Sequence, residues 1–286
     1  MRFNYDTIRE FSVGYDFQKE WIQGRGLFLL IAIYLGGAGG GLFLASLLVG
    51  WKLGLLIAVA IVAIGKGGAH LMFLGHPLRF WRIFWSTTFL TSWLTRGLWF
   101  VTLFVVSGLA YYLTGNTSLM AVSAFFALCL IIYTGFLMAA SPAIPFWNNP
   151  LLPLVFVTAA LWSGVSLIEG ITSFAPQSLN DGMLRPLSLW LGVIAVVILF
   201  AYLVVNFQSS LAAKESVLFL GAGRFSRVFY PGVVLLGLVI PLAILGSALL
   251  GEISRIWLAV AGISELAGSF VLRYSLLRAG IYPPIS

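Results

Sequence analysis

Residues 131–153 read IIYTGFLMAASPAIPFWNNPLLP. An apolar run ends at Pro142 and Pro145, a short stretch offers Trp147, Asn148 and Asn149, and Pro150 and Pro153 open the next apolar run. Proline in the first turn of a helix costs nothing, because that N–H has no partner there anyway. The pattern predicts two hydrophobic helices joined by a fixed, polar-lipped turn at a membrane surface, with Tyr133 about two turns inside the first helix. Such a turn suits capture of an amphipathic ring at the membrane edge.

The rest of the 286-residue sequence agrees with that reading. It is 60% hydrophobic and 9% charged, with a mean hydropathy of +1.03, which excludes a soluble globular domain. A helix needs about 20 apolar residues to cross the bilayer core. Eight runs qualify, at 27–49, 54–75, 97–114, 119–140, 151–171, 187–207, 231–251 and 256–275. The expectation is an all-α integral membrane protein of eight transmembrane helices, organised as an N-terminal interfacial segment (1–26), one membrane domain (27–275) and a C-terminal tail (276–286). Residues 1–26 mix Asp6, Arg9, Glu10, Asp16, Lys19 and Glu20 with scattered aromatics and lack the apolar core of a cleavable signal. They are expected to lie on the membrane surface or under a partner.

An even number of spans puts both termini on one side. That side carries twelve Lys or Arg, against Lys52, Arg185 and Arg255 on the other. The positive-inside rule therefore assigns the termini to the cytoplasm. The net charge of +7 is explained by basic loops at a lipid surface and calls for no nucleic acid. Two histidines, His70 and His76, lie on one helix and its exit, so a bis-histidine haem between helices is not expected, and the single Cys129 cannot ligate an iron–sulfur cluster. No metal site is expected. Electrons for any redox work must come from another subunit.

Ionisable residues inside spans are costly and point to function or pairing. In IGKGGAHLMFLGHP, Lys66 and His70 are four apart and share one face, with Gly67 and Gly68 leaving room for a neighbour or a flat ligand. Lys66 reads either as half of an ion pair between helices, with Glu265 at similar depth as its partner, or as part of a proton path with Glu265 and Glu169. His70 reads as a ligand or proton-relay group, and Glu169 as a residue reaching water at the far end of its helix. Tyr133 reads as a ring-binding hydroxyl or as a satisfied core tyrosine. Arg79, Arg82 and Arg96 sit beside Trp81, Trp85 and Trp93, as interfacial anchors or partner contacts, and Trp147 and Asn148 are placed with them as partner-docking residues. The glycines of LGGAGGG (35–41) are a packing signal, not a phosphate loop, because they lie inside a span.

Five stretches in order carry a resemblance that covers nearly the whole sequence: LGGAGGG, LGHPLRFWRIF, SWLTRGLW, YTGFLMAASPAIPFWNNPLLP and LRYSLLRAGIY. Together they resemble the NrfD/PsrC family, the membrane subunits of polysulfide-reductase-like complexes. The resemblance implies two four-helix bundles and a bound quinone or quinol (menaquinone or ubiquinone), with no redox cofactor in this chain. It also implies a ferredoxin-like partner with four [4Fe–4S] clusters, often followed by a molybdopterin catalytic subunit, in a prokaryotic cytoplasmic membrane. Tyr133 matches the family tyrosine associated with the quinone headgroup. Some relatives carry Asn and His at the start of the first helix, where this sequence has GLFLLIAIY, so Gln23 or Arg25 is expected to substitute at the mouth of the site. Many carry Asp before the LG-x-P turn, where this sequence has Phe73, so His70 or His76 is expected to supply the protonatable group. Well-known relatives place the partner and the termini at the periplasmic face, opposite to the charge count.

The preferred expectation is thus a membrane anchor subunit that binds quinone and exchanges electrons with an iron–sulfur partner. The alternatives are a proton-translocating module, a passive anchor without a quinone site, and a secondary transporter.

Overall fold

The computed structural model describes residues 16–85, 87–174, 181–248, 251 and 253–283; the charges and aromatics of residues 1–15 and the last three residues of the tail lie outside this set. Eight helices are long and apolar enough to cross a membrane: α1 (Gly26–Val49), α2 (Lys52–Phe73), α3 (Trp93–Thr114), α4 (Thr117–Ala139), α5 (Leu152–Phe174), α6 (Leu184–Ser209), α8 (Ser226–Ser247) and α9 (Arg255–Arg278). A shorter helix, α7 (Leu211–Gly221), occupies the 208–230 stretch that reads as a loop in the sequence, and it starts where the Ser210 hydroxyl accepts the Ala213 N–H at 3.2 Å.

Helix ends follow local chemistry. α1 and α3 stop at Gly50 and Gly115, both left-handed, where φ is 72° and 69°, a conformation glycine adopts without a Cβ penalty. Asn116 then caps α4 by accepting the N–H groups of Ser118 and Leu119. Two far-side connections thereby shrink to two residues each. α3 begins four residues earlier than hydropathy suggests, because Ser92 caps it through the Thr95 N–H at 3.4 Å.

The helices pack as two rings of four. α1 touches α2 and α4, α2 touches α3, and α3 touches α4; α5 touches α6 and α9, and α8 touches α6 and α9. The rings are joined by broad contact of α1 with α5 and by further contact of α4 with α5, aided by α9 against α1. Its glycines make this possible, because neighbours press on it from several sides. A Cβ on Gly39 would strike Val62 of α2, one on Gly40 Ile131 of α4, and one on Gly41 would overlap the Ala160 carbonyl of α5. From the facing helix, a Cβ on Gly164 would overlap the backbone of Gly41 and Leu42. The packing role expected of LGGAGGG is what the structure contains.

At the termini's side a clasp closes over the 140–151 turn. β1 (Asp16–Phe17) pairs antiparallel with β2 (Ile281–Tyr282), the Gln18 N–H donates to Gly280 O at 2.9 Å, and the Gln18 side chain donates to Leu277 O. This overturns the placement of Trp147 on a docking surface. Trp147 is 1% exposed, donates from Nε1 to Leu276 O at 2.8 Å, and lies 5.1 Å from the Trp21 ring. Asn149 is also buried, and its side chain accepts the Leu151 N–H at 2.9 Å, capping the entry to α5. Local sequence cannot distinguish a tryptophan facing lipid headgroups from one covered by a segment more than a hundred residues away. Asn148, between them, remains exposed.

Two stability outcomes follow. Gly164→Ala is expected to lower the melting temperature in detergent, at a cost of about 1–3 kcal/mol from overpacking. Gly246→Ala, whose Cβ would meet nothing within 4 Å, should leave it unchanged or raise it. Trp147→Phe should cost about 1 kcal/mol or more through the lost hydrogen bond, while Asn148→Ala should change little. Equal melting of Gly164→Ala and the parent protein would mean that the α1–α5 approach does not hold the rings together.

Candidate functional site

Tyr133 lies on α4, six residues before its end at Ala139, roughly 9 Å along the helix from that end. It is 4% exposed. Its ring sits where α3 has no side chain, since a Cβ on Gly97 would overlap it, and Phe100, nearly one turn on, meets it edge-on at 6.4 Å. Over the ring lies the Lys66 ammonium, with Nζ 5.2 Å from the centroid. The Tyr133 hydroxyl makes no hydrogen bond among the described residues.

Lys66 reaches that position from a π-helical turn, Ile61–Lys66, in α2. One extra residue in a turn re-aims the side chain that follows, and such turns gather at functional positions. The stem of Lys66 lies along Gly36, where a Cβ would come within 2.8 Å of Cδ, and Nζ donates to Ala32 O at 3.3 Å. Lys66 is 1% exposed and has no carboxylate within ion-pair distance, so the expected Lys66–Glu265 pair does not form; among the described residues the one ion pair is Lys19–Asp16. The two residues lie in different rings, a separation that depth along the sequence does not reveal.

One turn beyond Lys66, the His70 Nδ1 is buried without a hydrogen-bond partner. On the opposite side of α2, two residues from both Lys66 and His70, a Cβ on Gly68 would meet nothing within 4 Å. Arg25, at the start of α1, donates to Leu74 O at 3.4 Å just past the end of α2. Gln23 and His76 are exposed nearby in sequence, His76 preceding a 3-10 turn over Pro77–Ile83. Contacts therefore tie Lys66 to Tyr133 and Arg25 to the α2 exit, with His70 between those levels along α2. Arg79 and Arg82 are exposed on the 3-10 turn, whereas Arg96 is partly buried, its guanidinium 4.6 Å over the Trp93 ring.

The second ring holds a separate polar chain. Glu265 on α9 is 2% exposed and accepts the Ser163 hydroxyl at 3.0 Å. Ser163 lies 2.8 Å from Ser269, and Arg273 donates to the Ser269 carbonyl at 3.0 Å and to its hydroxyl. Glu169 on α5 does not reach water as expected: it is buried and accepts the Ser188 hydroxyl at 3.1 Å, which in turn accepts Trp162 Nε1 at 3.2 Å. Arg273 reads in the sequence as one of the twelve surface charges, yet it is 2% exposed, 5.4 Å over the Tyr34 ring and against Gly37. The signal that could have located it is spacing: Glu265, Ser269 and Arg273 recur every fourth residue, in the span of lowest mean hydropathy, 1.4. Gly97 and Phe100 carry no comparable signal, because an apolar helix is rich in such residues.

Comparison with known proteins agrees with this architecture. Residues 25–284 match the family described as polysulphide reductase, NrfD. The protein is similar to the C subunit of polysulfide reductase from Wolinella succinogenes, 31% identical over 155 residues, 52% of this sequence and 49% of that protein. It is also similar to the protein NrfD of Escherichia coli, 29% identical over 161 residues, 54% of this sequence and 50% of that protein. The homologous NrfD of Haemophilus influenzae is 27% identical over 159 residues. The matches span about half the length of these curated relatives. The family match nevertheless covers all eight spans, and the protein belongs to the NrfD family of integral membrane proteins.

Proposed function

We propose that this protein is the membrane subunit of a multi-subunit oxidoreductase, that it binds a quinone or quinol beside Tyr133, and that it exchanges electrons with an iron–sulfur partner docked on the termini's side. One observation carries the reading: a buried tyrosine whose hydroxyl makes no hydrogen bond among the described residues, with its ring held between Gly97 and the Lys66 ammonium. The ring is buried but the hydroxyl oxygen is not fully enclosed, so a free donor with a cation above its ring suits an acceptor brought by a ligand. The unpartnered His70 Nδ1, on the same face of α2 as Lys66, supports the same fit.

A bound quinone supplies two-electron, two-proton chemistry. Tyr133 donates to one of the ring oxygens. Lys66 holds a fixed positive charge in a low-dielectric setting, where it favours negative charge nearby more strongly than it would in water. His70 holds or passes a proton toward the rim, where His76, Gln23 and Arg25 meet the surface. Arg79 and Arg82, exposed among Trp81 and Trp85, offer a basic, aromatic face to the partner, which on this reading carries [4Fe–4S] clusters and connects to a molybdopterin subunit. The lysines and arginines outside the spans favour termini in the cytoplasm, even with Arg273 removed from the count. Menaquinone and ubiquinone both suit this reading, since each headgroup presents two carbonyl oxygens across its ring. The name of the Wolinella relative makes polysulfide one substrate class for the complex.

The reading is tested with the purified full-length protein in detergent and a short-chain naphthoquinone, by quenching of tryptophan fluorescence. Tyr133→Phe should weaken binding about tenfold, the scale of one lost hydrogen bond to a buried acceptor. Lys66→Met should weaken it as well, and Lys66→Arg less. Unchanged affinity in both Tyr133→Phe and His70→Ala would leave the protein a passive anchor. Charge reversal at Arg79 and Arg82 together should reduce the iron–sulfur subunit recovered with the tagged protein from native membranes, most clearly at low salt. Undiminished recovery would move the docking face elsewhere.

A further inference from the structure

On the termini's side, the rim of the second ring carries cations that neither the packing nor the quinone reading uses. α7 lies there between α6 and α8, with Ala212, Ala213, Ser216 and Leu220 buried and contacts to α6 and to β2 of the clasp. Phe219 fixes its far end, stacking on Phe225 at 5.4 Å and meeting Phe17 of the clasp at 4.6 Å. The chain then turns sharply into α8. The N–H groups of Ala222 and Gly223 both donate to Leu218 O, at 2.8 and 2.7 Å, and the Ser226 N–H donates to Gly223 O at 3.1 Å. A Cβ on Gly223 would come within 2.8 Å of the Phe219 backbone, so the turn is built around a glycine.

This fixed turn presents Arg224 and Arg227, both exposed. Neither makes an ion pair or a hydrogen bond among the described residues. The acid on α7, Glu215, is exposed and roughly 9 Å of helix from Gly221, and Lys214 beside it has Nζ 5.0 Å from the centroid of the Phe207 ring. The rim is therefore positive on balance. Tyr230 follows Arg227 by three residues, on the same face of α8. A Cβ on Gly221 would lie 3.8 Å from the Tyr230 hydroxyl, so that hydroxyl points back at the turn, and it makes no hydrogen bond among the described residues. On the same helix Val228, Leu235, Leu236 and Val239 are exposed, and because α8 spans the membrane they face lipid.

We infer that the turn between α7 and α8 binds the headgroup phosphate of an anionic phospholipid through Arg224, Arg227 and Tyr230, with the acyl chains lying along the exposed apolar side of α8. A guanidinium offers a planar fork of donors that matches phosphate oxygens, and the tyrosine hydroxyl adds one more donor. Charge complementarity selects an anionic headgroup, because a choline would bring a cation against two arginines. A carboxylate on a soluble partner would satisfy the arginines but leave Leu235, Leu236 and Val239, deeper in the span, uncovered. A lipid held here braces the turn and α7, and through Phe219 and Phe17 it braces the clasp over Trp147. The site belongs to the second ring, apart from Arg79 and Arg82, and does not rest on the quinone reading.

The test uses the full-length protein, purified in detergent and stripped of lipid, with melting temperature followed as phosphatidylglycerol, phosphatidylcholine or inorganic phosphate is added. A ligand that binds only the folded state raises the melting temperature in a concentration-dependent way. Phosphatidylglycerol should do so, whereas phosphatidylcholine and inorganic phosphate at equal concentration should not. In the double variant Arg224→Gln, Arg227→Gln the half-maximal lipid concentration should rise about tenfold or more, the scale of lost charge-assisted hydrogen bonds. Melting without lipid should match the parent, since neither arginine has a partner to lose. Arg224→Lys with Arg227→Lys, which keeps the charge without the fork, should fall between the two. Arg185→Gln with Arg255→Gln removes the same charge from the far side and should leave the response intact. An equal response to phosphatidylcholine, a shift produced by phosphate alone, an unchanged response in the Arg224 and Arg227 double variant, or an equal loss in the far-side variant would each overturn the inference.

Discussion

The close approach of α1 to its neighbours is the constraint from which the rest of the molecule follows. A helix surrounded by others can sit at the centre only if it carries little on its surface, and the glycines at 36, 37, 39, 40 and 41 meet that demand. Inside a membrane there is no hydrophobic force to drive helices together, since lipid tails are as apolar as leucine, so contact area gained through small residues counts for more. The same glycines position the chemistry. Gly36 leaves room for the Lys66 stem on one side of α1, and Gly37 leaves room for Arg273 on another. One helix thus separates two buried cations, each serving its own ring.

Those cations have different company, and the difference assigns their roles. Lys66 has a carbonyl, an aromatic face and no acid within ion-pair distance, so its charge remains available to whatever occupies the space beside Tyr133. A cation over an aromatic face gains about 0.5–2 kcal/mol, well short of the several kcal/mol that burying an ammonium costs. The surplus cost is what an acceptor ligand would offset. Arg273 instead sits within a hydrogen-bonded chain that ends on Glu265, where the acid and base lie two serines apart. The first arrangement leaves a charge facing a ring, whereas the second ties α5 to α9.

Much of this is legible in the sequence because hydrophobic length and helix-breaking residues act locally. The eight spans, the stops at Gly50 and Gly115 and the packing role of the glycine run all come from short-range rules. The departures share one cause, which is that depth along a helix says nothing about direction around it or about what covers it. Glu265 lies at a similar depth to Lys66, yet faces the other ring. Trp147 and Asn149 have the composition of an interface, but the Gln18 and Tyr282 ends of the molecule fold over them. Arg273 reads as a surface charge because it is near a helix end, and only its four-residue spacing from Ser269 hints otherwise. α7 is hidden because eleven residues of mixed polarity lying along a surface carry no membrane-length signal.

The most direct test is a density map of the intact complex purified with its endogenous quinone, read around Tyr133. The account predicts planar density within hydrogen-bonding reach of the Tyr133 hydroxyl and close to the Lys66 ammonium. A space closed by side chains, with headgroup density at another position against the iron–sulfur subunit, would contradict it.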